Sequence, residues 1–240
     1  MRITVGFTAL FSLRLISTLM HMTTLEKIYK PRGWGRENHR KLNPEIISQL
    51  PKYSQFITGQ KMDPINLIFI GTENGIKHAF EKAGWHSAHP SSPIHLFLGF
   101  LSGALNRPYK TGPFTPHFIS VGLQDIAFQK GTRKNSFRQR HHIRIWRTKH
   151  HLSGGKQVWV AAASYDCALR VDVLPPFVHH HISADLDTER DYIARELLEQ
   201  GHSMGEAVQM IPVIRKSHPD RNATGAKYYT DGQAQVVEID

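Results

Sequence analysis

Three consecutive histidines stand just before a run of acidic residues in the second half of the chain. Along an extended strand, side chains two residues apart share a face, so His179 and His181 point to the same side. With Asp185 or Asp187 nearby, these imidazoles could be ligands for Zn²⁺ or Mn²⁺, or an acid–base pair. The spacing matches no zinc signature, so a polar strand end remains an alternative.

A helix start accounts for two of these acids without any chemistry. Asp187 is a favourable N-cap for a helix that begins at Thr188. Glu189 and Asp191 would then lie in the first turn, where negative charge complements the helix dipole. A cap requires neither the three histidines nor Arg190 between two acids, so a polar site near this helix start is predicted as well.

A second group of polar residues lies on a predicted strand around residue 143. If Ile143 and Ile145 face the core, then Arg140, His142 and Arg144 share the opposite face. Two arginines and a histidine in a row could bind a phosphate through charge-assisted hydrogen bonds. By themselves these residues favour a solvated basic face over a phosphate site.

Composition restricts the classes of function. The chain has 240 residues, 40% hydrophobic and 21% charged, and a formal net charge of +10 with 16 histidines. A basic protein of this kind attracts an anionic partner such as a phosphorylated substrate, an anionic membrane surface or nucleic acid. The single cysteine, Cys167, excludes an internal disulfide and a cysteine zinc site. Nucleic acid is the weakest of these expectations, because no zinc-finger spacing or RRM-like motif is present.

The N-terminal part divides into two predicted segments. Residues 1–22 form an apolar leader with an interrupting arginine. Residues 3–20 could act as a weak single-span membrane anchor, or translation could start at Met20 or Met22 instead. Residues 23–62 are basic and contain several prolines, which predicts a connector.

The first half of the remaining chain predicts alternating strands and helices. A short helix is expected at Pro44–Gln49, and the apolar run Ile65–Ile70 predicts a strand. Thr72 would cap a helix that ends before Gly84. A further helix begins at Pro93 and is apolar nearly all round, which predicts that it is buried.

The second half predicts consecutive strands. Extended segments follow one another through tight turns from about residue 117 to residue 173, and another strand is expected at Val208–Ile214. Asp231-Gly232 stands between alternating segments, which predicts a hairpin. Strands joined in this way predict an antiparallel sheet with helices packed against it, hence a single α+β domain.

Several of these motifs occur together in one known family. The chain resembles the LssY C-terminal domain family of bacteria over residues 63–240. The resemblance rests on seven stretches that occur in order, namely DPINLIFIGT, NRPYKTGPFTPHFI, DIAFQK, RQRHHIRIWRT, WVAAASYD, HHISADLDTERD and YYTDG. The family's domain often follows membrane segments of the PAP2 or DedA type, which implies a phospholipid or phosphate setting and a membrane protein partner. One departure is Ser183-Ala184, where the family tends to have Asp-Pro.

The resemblance implies that the polar residues of both groups belong to one site. The matching positions are Arg140, His141, His142, Arg144, Trp146, Asp166, His180, His181, Asp185, Asp187, Glu189, Arg190, Asp191 and Asp231.

One hypothesis is a metal-dependent hydrolase of a phosphate-bearing, lipid-linked substrate. Its phosphate-binding residues would be Arg140, Arg144 and Arg190. His181 with Asp185 or Asp187 would hold Zn²⁺ or Mn²⁺ or orient a water, and His142 would be the general acid.

The other hypothesis, which net charge and membrane neighbours favour, is an accessory module without catalysis. It would work at or near a membrane through a basic surface, from the cytoplasm or as a peripherally associated protein.

Overall fold

The computed structural model describes most of the chain after residue 34. The described residues are 35–90, 92–120, 122–136, 138–173 and 176–239, with single positions between 17 and 28. The predicted leader and its membrane anchor therefore lie almost entirely outside the described residues.

From residue 35 onward the described residues contain four α-helices, one 3-10 helix (Ser153–Gly155) and sixteen strands. The helices are α1 (Pro44–Gln49), α2 (Glu73–Lys82), α3 (Pro93–Ala104) and α4 (Leu186–Glu199). Strands of the first half are β1 (Glu37–Asn38), β2 (Tyr53–Gln55), β3 (Lys61–Pro64), β4 (Leu67–Gly71), β5 (His86–Ser87), β6 (Phe118–Ile119) and β7 (Gly122–Leu123). Those of the centre are β8 (Ile126–Ser136), β9 (Gln139–His151), β10 (Gln157–Val173) and β11 (Pro176–Ile182). The last are β12 (Ser203–Met204), β13 (Val208–Gln209), β14 (Asp220–Arg221), β15 (Lys227–Tyr228) and β16 (Gln233–Glu238).

Local signals placed the first helices correctly. α1 has the predicted bounds, with Asn43 as its N-cap. Thr72 caps α2 through its side-chain oxygen, which accepts from the backbone N–H of Gly75 at 3.0 Å. Gly84 follows the helix with φ of +81°, which only glycine adopts without strain.

A large, mainly antiparallel sheet dominates the fold and confirms the α+β prediction. Its strands run in the order β12-β16-β4-β10-β9-β8-β5, with β11 also on β10. The exceptions to antiparallel pairing are β16 on β4 and β1 on β9. β2, β3, β6 and β7 form a smaller antiparallel sheet.

Both faces of the large sheet are covered around β9 and β10. On one face, α2 and α4 pack on Ile143, Ile145 and Trp159. On the other face, α1 and the apolar residue Ile119 of β6 pack with Trp146 and Val160. Strands buried on both sides are apolar throughout rather than alternating, as β4 shows.

The prediction that the basic face of β9 is solvated is wrong. Arg140, His142 and Arg144 are only 4%, 3% and 5% exposed. Phe114 and the backbone of Thr115 contact these side chains, and the sequence around them carries no signal for that position.

The prediction that α3 is buried is also wrong. Four large apolar side chains along it and a fifth at its C-cap are 39% to 64% exposed, namely Ile94, Phe97, Leu98, Leu101 and Leu105. Among the described residues, no helix is both long enough and apolar enough to span a membrane.

The predicted hairpin at Asp231-Gly232 does not form. Thr230 pairs with Ile214 instead, and β16 runs parallel to β4. The residue before the Asp-Gly turn therefore pairs with Ile214 and the strand after it pairs with β4. The two segments that the turn joins do not pair with each other.

Candidate functional site

Asp166 lies at the centre of a group of polar side chains that are buried except for the partly exposed His180. We call this group the Asp166 cluster: Arg140, His142, Arg144, Ser164, Asp166 and His180. Arg140 Nε donates to Asp166 Oδ2 at 2.9 Å. His142 Nδ1 lies 3.3 Å from Oδ1, and His180 Nδ1 lies 3.3 Å from Oδ2. One carboxylate that is 2% exposed therefore meets three cationic or imidazole side chains.

The register of two neighbouring strands assembles this cluster. Asp166 of β10 is directly opposite Arg140 of β9, and Ser164 is directly opposite His142. Because alternate residues of a strand share a face, all four side chains point to the same side of the sheet.

Ser164, His142 and Asp166 form a chain of polar contacts. Ser164 Oγ lies 2.9 Å from His142 Nε2, while His142 Nδ1 faces Asp166. A hydroxyl, an imidazole and a carboxylate stand in the order that activates a nucleophile, but the 3.3 Å contact between His142 Nδ1 and Asp166 lacks hydrogen-bond geometry.

Phe114 covers the cationic side of the cluster. Its ring centre lies 4.6 Å from the guanidinium carbon of Arg140 and 5.2 Å from that of Arg144. Arg144 Nε donates to the backbone oxygen of Thr115 at 3.3 Å, but the buried Arg144 Nη1 has no hydrogen-bond acceptor among the described residues. A buried donor without an acceptor is costly, which makes this atom a candidate to bind an anion or a water.

Burial and neighbouring charges together shift the pKa values of Asp166 and Arg144. Burial alone would raise the pKa of Asp166, but His142, His180 and Arg140 outweigh it and hold that pKa well below its usual range. Burial lowers the pKa of Arg144 to about 10, since Asp63 and Asp166 offset it only in part. The Asp166 carboxylate is therefore ionised at neutral pH.

His117 lies beside the cluster in a fully buried position. Its Nδ1 is 3.3 Å from Ser54 Oγ and 3.9 Å from an oxygen of Asp63. Burial, followed by the nearby Arg144 and His142 side chains, lowers the pKa of His117 well below its usual value. His117 is therefore neutral in the folded protein.

We expect the free energy of unfolding to fall as the pH drops below about 6.5. In that range the unfolded chain protonates His117 while the folded chain does not, so protons favour unfolding, by at most about 1.4 kcal/mol per pH unit. Urea denaturation from pH 7.5 to 5.5 measures this slope. His117→Gln should reduce this slope, leaving the part due to His150, whose pKa burial also lowers, and the exposed His218→Gln should leave it unchanged. An unchanged slope in His117→Gln would contradict the assignment.

The start of α4 carries a separate polar group. Arg190 Nη1 donates to Asp231 Oδ1 at 2.7 Å and to Asp187 Oδ1 at 3.3 Å, and its Nε donates to Asp191 Oδ1 at 2.8 Å. Asp187 also accepts from the backbone N–H of Asp231 at 2.8 Å. These contacts fasten the helix to the Asp-Gly turn.

The predicted N-cap at Asp187 is wrong. The helix begins at Leu186, and Asp185 caps it by accepting from the backbone N–H of Thr188 at 3.2 Å. Thr230 Oγ1 donates to Asp187 at 2.6 Å, so that carboxylate is used in a tertiary contact.

The structure thus divides the predicted site residues. It brings Arg140, His142 and Arg144 together around Asp166, while Asp187 and Arg190 contact the Asp-Gly turn. Among those residues, His181 and Asp185 do not belong to a set of three side chains that could share a metal ion. The metal assignment at His181 and Asp185 stays a prediction.

Sequence reasoning missed Ser164, Phe114 and the role of His180. A signal existed for Ser164, because it alternates with Asp166 on the strand that follows the basic one. No signal distinguishes His180 from His181, since a register shift between Asp166 and Ala168 decides which histidine faces Asp166.

A pocket of about 520 Å³ lies on the opposite face of β9. Its lining residues are Lys130, Gly131, Thr132, Gln139, His141, Tyr165 and Tyr192. His141 Nδ1 lies 2.8 Å from an oxygen of the buried Glu189, and its ring stacks on Tyr192. The adjacent residues His141 and His142 therefore point to opposite faces of the sheet, His141 to this pocket and His142 to the Asp166 cluster.

Comparison with known proteins gives one match. The family model described as LssY C-terminus matches residues 47–234, well over half of the chain. No curated protein and no solved structure matches. On this match, the chain belongs to the LssY C-terminal domain family.

Proposed function

We propose that this protein is a hydrolase of a phosphate-bearing substrate and that the Asp166 cluster is its active site. The observation that carries the proposal is the chain from Ser164 Oγ through His142 to the ionised Asp166, beside an arginine with a donor to spare. Buried ion pairs contribute little to stability, so their presence here is better explained by binding and chemistry.

The geometry assigns a role to each group. Ser164 Oγ attacks the phosphorus and gives its proton to His142 Nε2. The bond from phosphorus to the leaving oxygen breaks, that oxygen keeps the electron pair, and His142 returns the proton to it. Water, with His142 again as the base, then hydrolyses the phosphoserine to free phosphate and restores Ser164. Asp166 orients His142 and stabilises its protonated form.

The two arginines would neutralise the phosphate. Arg144 Nη1 would donate to a non-bridging oxygen, and Arg140 would add positive charge while it holds Asp166. Phe114 lies over both guanidiniums, so its side chain must rotate away for the phosphate to reach them.

The test is hydrolysis of phosphomonoesters, phosphodiesters and micellar phosphatidic acid by the full chain. Each assay is run with EDTA and with added Zn²⁺ or Mn²⁺, because a metal-dependent hydrolase was also predicted. We expect Ser164→Ala and His142→Gln to lower the rate by about 10²–10⁴-fold. Arg195→Ala, an exposed change on α4, is the matched control.

Circular dichroism and urea denaturation must show that each variant is folded. No hydrolysis of any phosphoester by the wild type, or equal activity in folded Ser164→Ala and His142→Gln, would overturn the proposal.

The second candidate function is a module that associates with an anionic membrane. The exposed apolar side chains of α3 support it, together with exposed Arg107 and Lys110 just after the helix. A helix with an apolar surface and flanking basic residues binds at the interface of anionic bilayers. Such an anionic partner also fits the net charge of +10.

Co-sedimentation with vesicles tests this candidate. We expect binding to vesicles containing phosphatidylserine and not to pure phosphatidylcholine, and loss of binding with the double change Ile94→Ser and Phe97→Ser. Leu198→Ser removes a similarly exposed side chain, 48%, from α4 and should leave binding unchanged. Equal loss in both variants would rule out a specific role of α3.

A further inference from the structure

Glu37, His39 and His150 bring three ligand atoms together at the edge of the large sheet. His39 Nε2 and His150 Nδ1 are 3.2 Å apart. Glu37 Oε2 lies 3.5 Å from His150 Nδ1 and 3.9 Å from His39 Nε2. Among the described residues, no other set of three or more His, Cys, Asp or Glu side chains is this close together.

Strand pairing positions these side chains. β1 pairs parallel with β9, which places Glu37 opposite His150. The backbone N–H of His39 donates to the oxygen of His151 at 2.7 Å, so His39 is held beside the same strand. Because Glu37 and His39 are two residues apart, they lie on the same face.

The distances match those of a tetrahedral metal site. With Zn–N bonds of about 2.0–2.1 Å, two nitrogens on a tetrahedral zinc ion are about 3.3 Å apart. The two imidazole nitrogens are already at that separation. Glu37 is exposed, and its oxygen needs to move by only a few tenths of an ångström toward the histidines.

We propose that Glu37, His39 and His150 bind one divalent transition-metal ion, with zinc as the best fit. Two imidazoles and one carboxylate form a ligand set that suits zinc rather than magnesium or calcium. Three protein ligands leave the fourth tetrahedral position for water.

Lys149 supports this arrangement. Its Nζ lies 2.7 Å from Glu37 Oε1, which leaves Oε2 directed at the two histidines. A partner on the second oxygen orients a carboxylate ligand, as groups behind metal ligands commonly do. His150 is 1% exposed, so the site has one rigid ligand and two on the N-terminal segment.

The bound metal would fasten the segment around β1 to β9. A strand of two residues makes few hydrogen bonds, and a metal that binds only the paired form stabilises it. This site is distinct from the Asp166 cluster and from the metal assignment at His181 and Asp185.

Metal binding by the full, metal-free chain tests the proposal. We expect zinc titration calorimetry to give a site that Glu37→Gln and His39→Gln each weaken by at least about tenfold, because loss of even a group behind a ligand costs about 10–100-fold in metal affinity. His151→Gln, the neighbouring histidine that bonds the Lys149 carbonyl, is the matched control and should bind as the wild type does. Co²⁺ should give the visible absorption of a tetrahedral site in the wild type and the control.

Both ligand variants change side chains of a partly exposed segment, so the folded domain should be kept, which circular dichroism checks. With sixteen histidines, binding elsewhere is expected to be weaker and unaffected by these changes. Zinc affinity that is the same in the wild type, Glu37→Gln and His39→Gln would overturn the proposal, as would the absence of tetrahedral Co²⁺ absorption.

Discussion

Asp166→Ala is expected to lower the free energy of unfolding by about 3–5 kcal/mol, because it leaves the buried Arg140 without its carboxylate. The Arg140–Asp166 pair has side chains that are 5% and 2% exposed, so water cannot replace the lost partner. Urea denaturation at pH 7.5 measures the change.

A second aspartate–arginine pair provides the control. Asp191 accepts from Arg190 Nε at 2.8 Å, close to the 2.9 Å between Arg140 and Asp166, but the Asp191 side chain is 53% exposed. Asp191→Ala should therefore cost only up to about 1 kcal/mol. Equal losses in Asp191→Ala and Asp166→Ala would show that burial does not set the energy of the Asp166 pair.

A double variant distinguishes the energetic effect of the two charges from that of the side-chain volume they occupy. Arg140→Met with Asp166→Leu removes both charges and keeps apolar volume, so it should be more stable than Asp166→Ala alone. If this double variant is also inactive in phosphoester hydrolysis, then the protein keeps the charges of Arg140 and Asp166 for catalysis although they lower its stability.

Local signals in the sequence were enough for α1, α2 and the fold class. Asn43, Thr72 and Gly84 act within a few residues of the elements that they begin or end, so α1 and α2 could be predicted without knowledge of the fold. The α+β class followed in the same way, from consecutive strands joined by short turns.

The candidate site depended on contacts that have no local signal. Alternation showed that Arg140, His142 and Arg144 share a face, but not that Phe114 and Ile119 would cover it. A polar face of a strand has the same sequence pattern whether water or a second layer covers it.

The two acids before α4 show the same limit. By residue type Asp185 and Asp187 are both good N-caps, and the acids that follow Asp187 led to the wrong choice of that residue. The choice comes from Thr230 and Asp231, more than forty residues away, whose contacts with Asp187 leave Asp185 to cap the helix.

Gly232→Ala is expected to be among the most destabilising single changes, because it disrupts the turn that Asp187 and Arg190 bind. A Cβ at Gly232 would lie 2.2 Å from the backbone oxygen of Ile211, far inside contact distance. The oxygen cannot easily retreat, since the backbone N–H groups of Met210 and Ile211 both donate to the carbonyl of Gly232.

Gly225→Ala separates this steric overlap from backbone strain. Gly225 and Gly232 have φ of +80° and +79°, but a Cβ at Gly225 meets nothing within 4 Å. Gly225→Ala should therefore cost only the left-handed conformation, about 1–2 kcal/mol. Gly232→Ala should cost about 1–3 kcal/mol more, as overpacking does. Urea denaturation of both variants measures the difference in the free energy of unfolding. Equal losses would mean that the backbone at Ile211 moves without cost to make room for the Cβ. The turn would then be too flexible to hold Asp231 in place against Arg190.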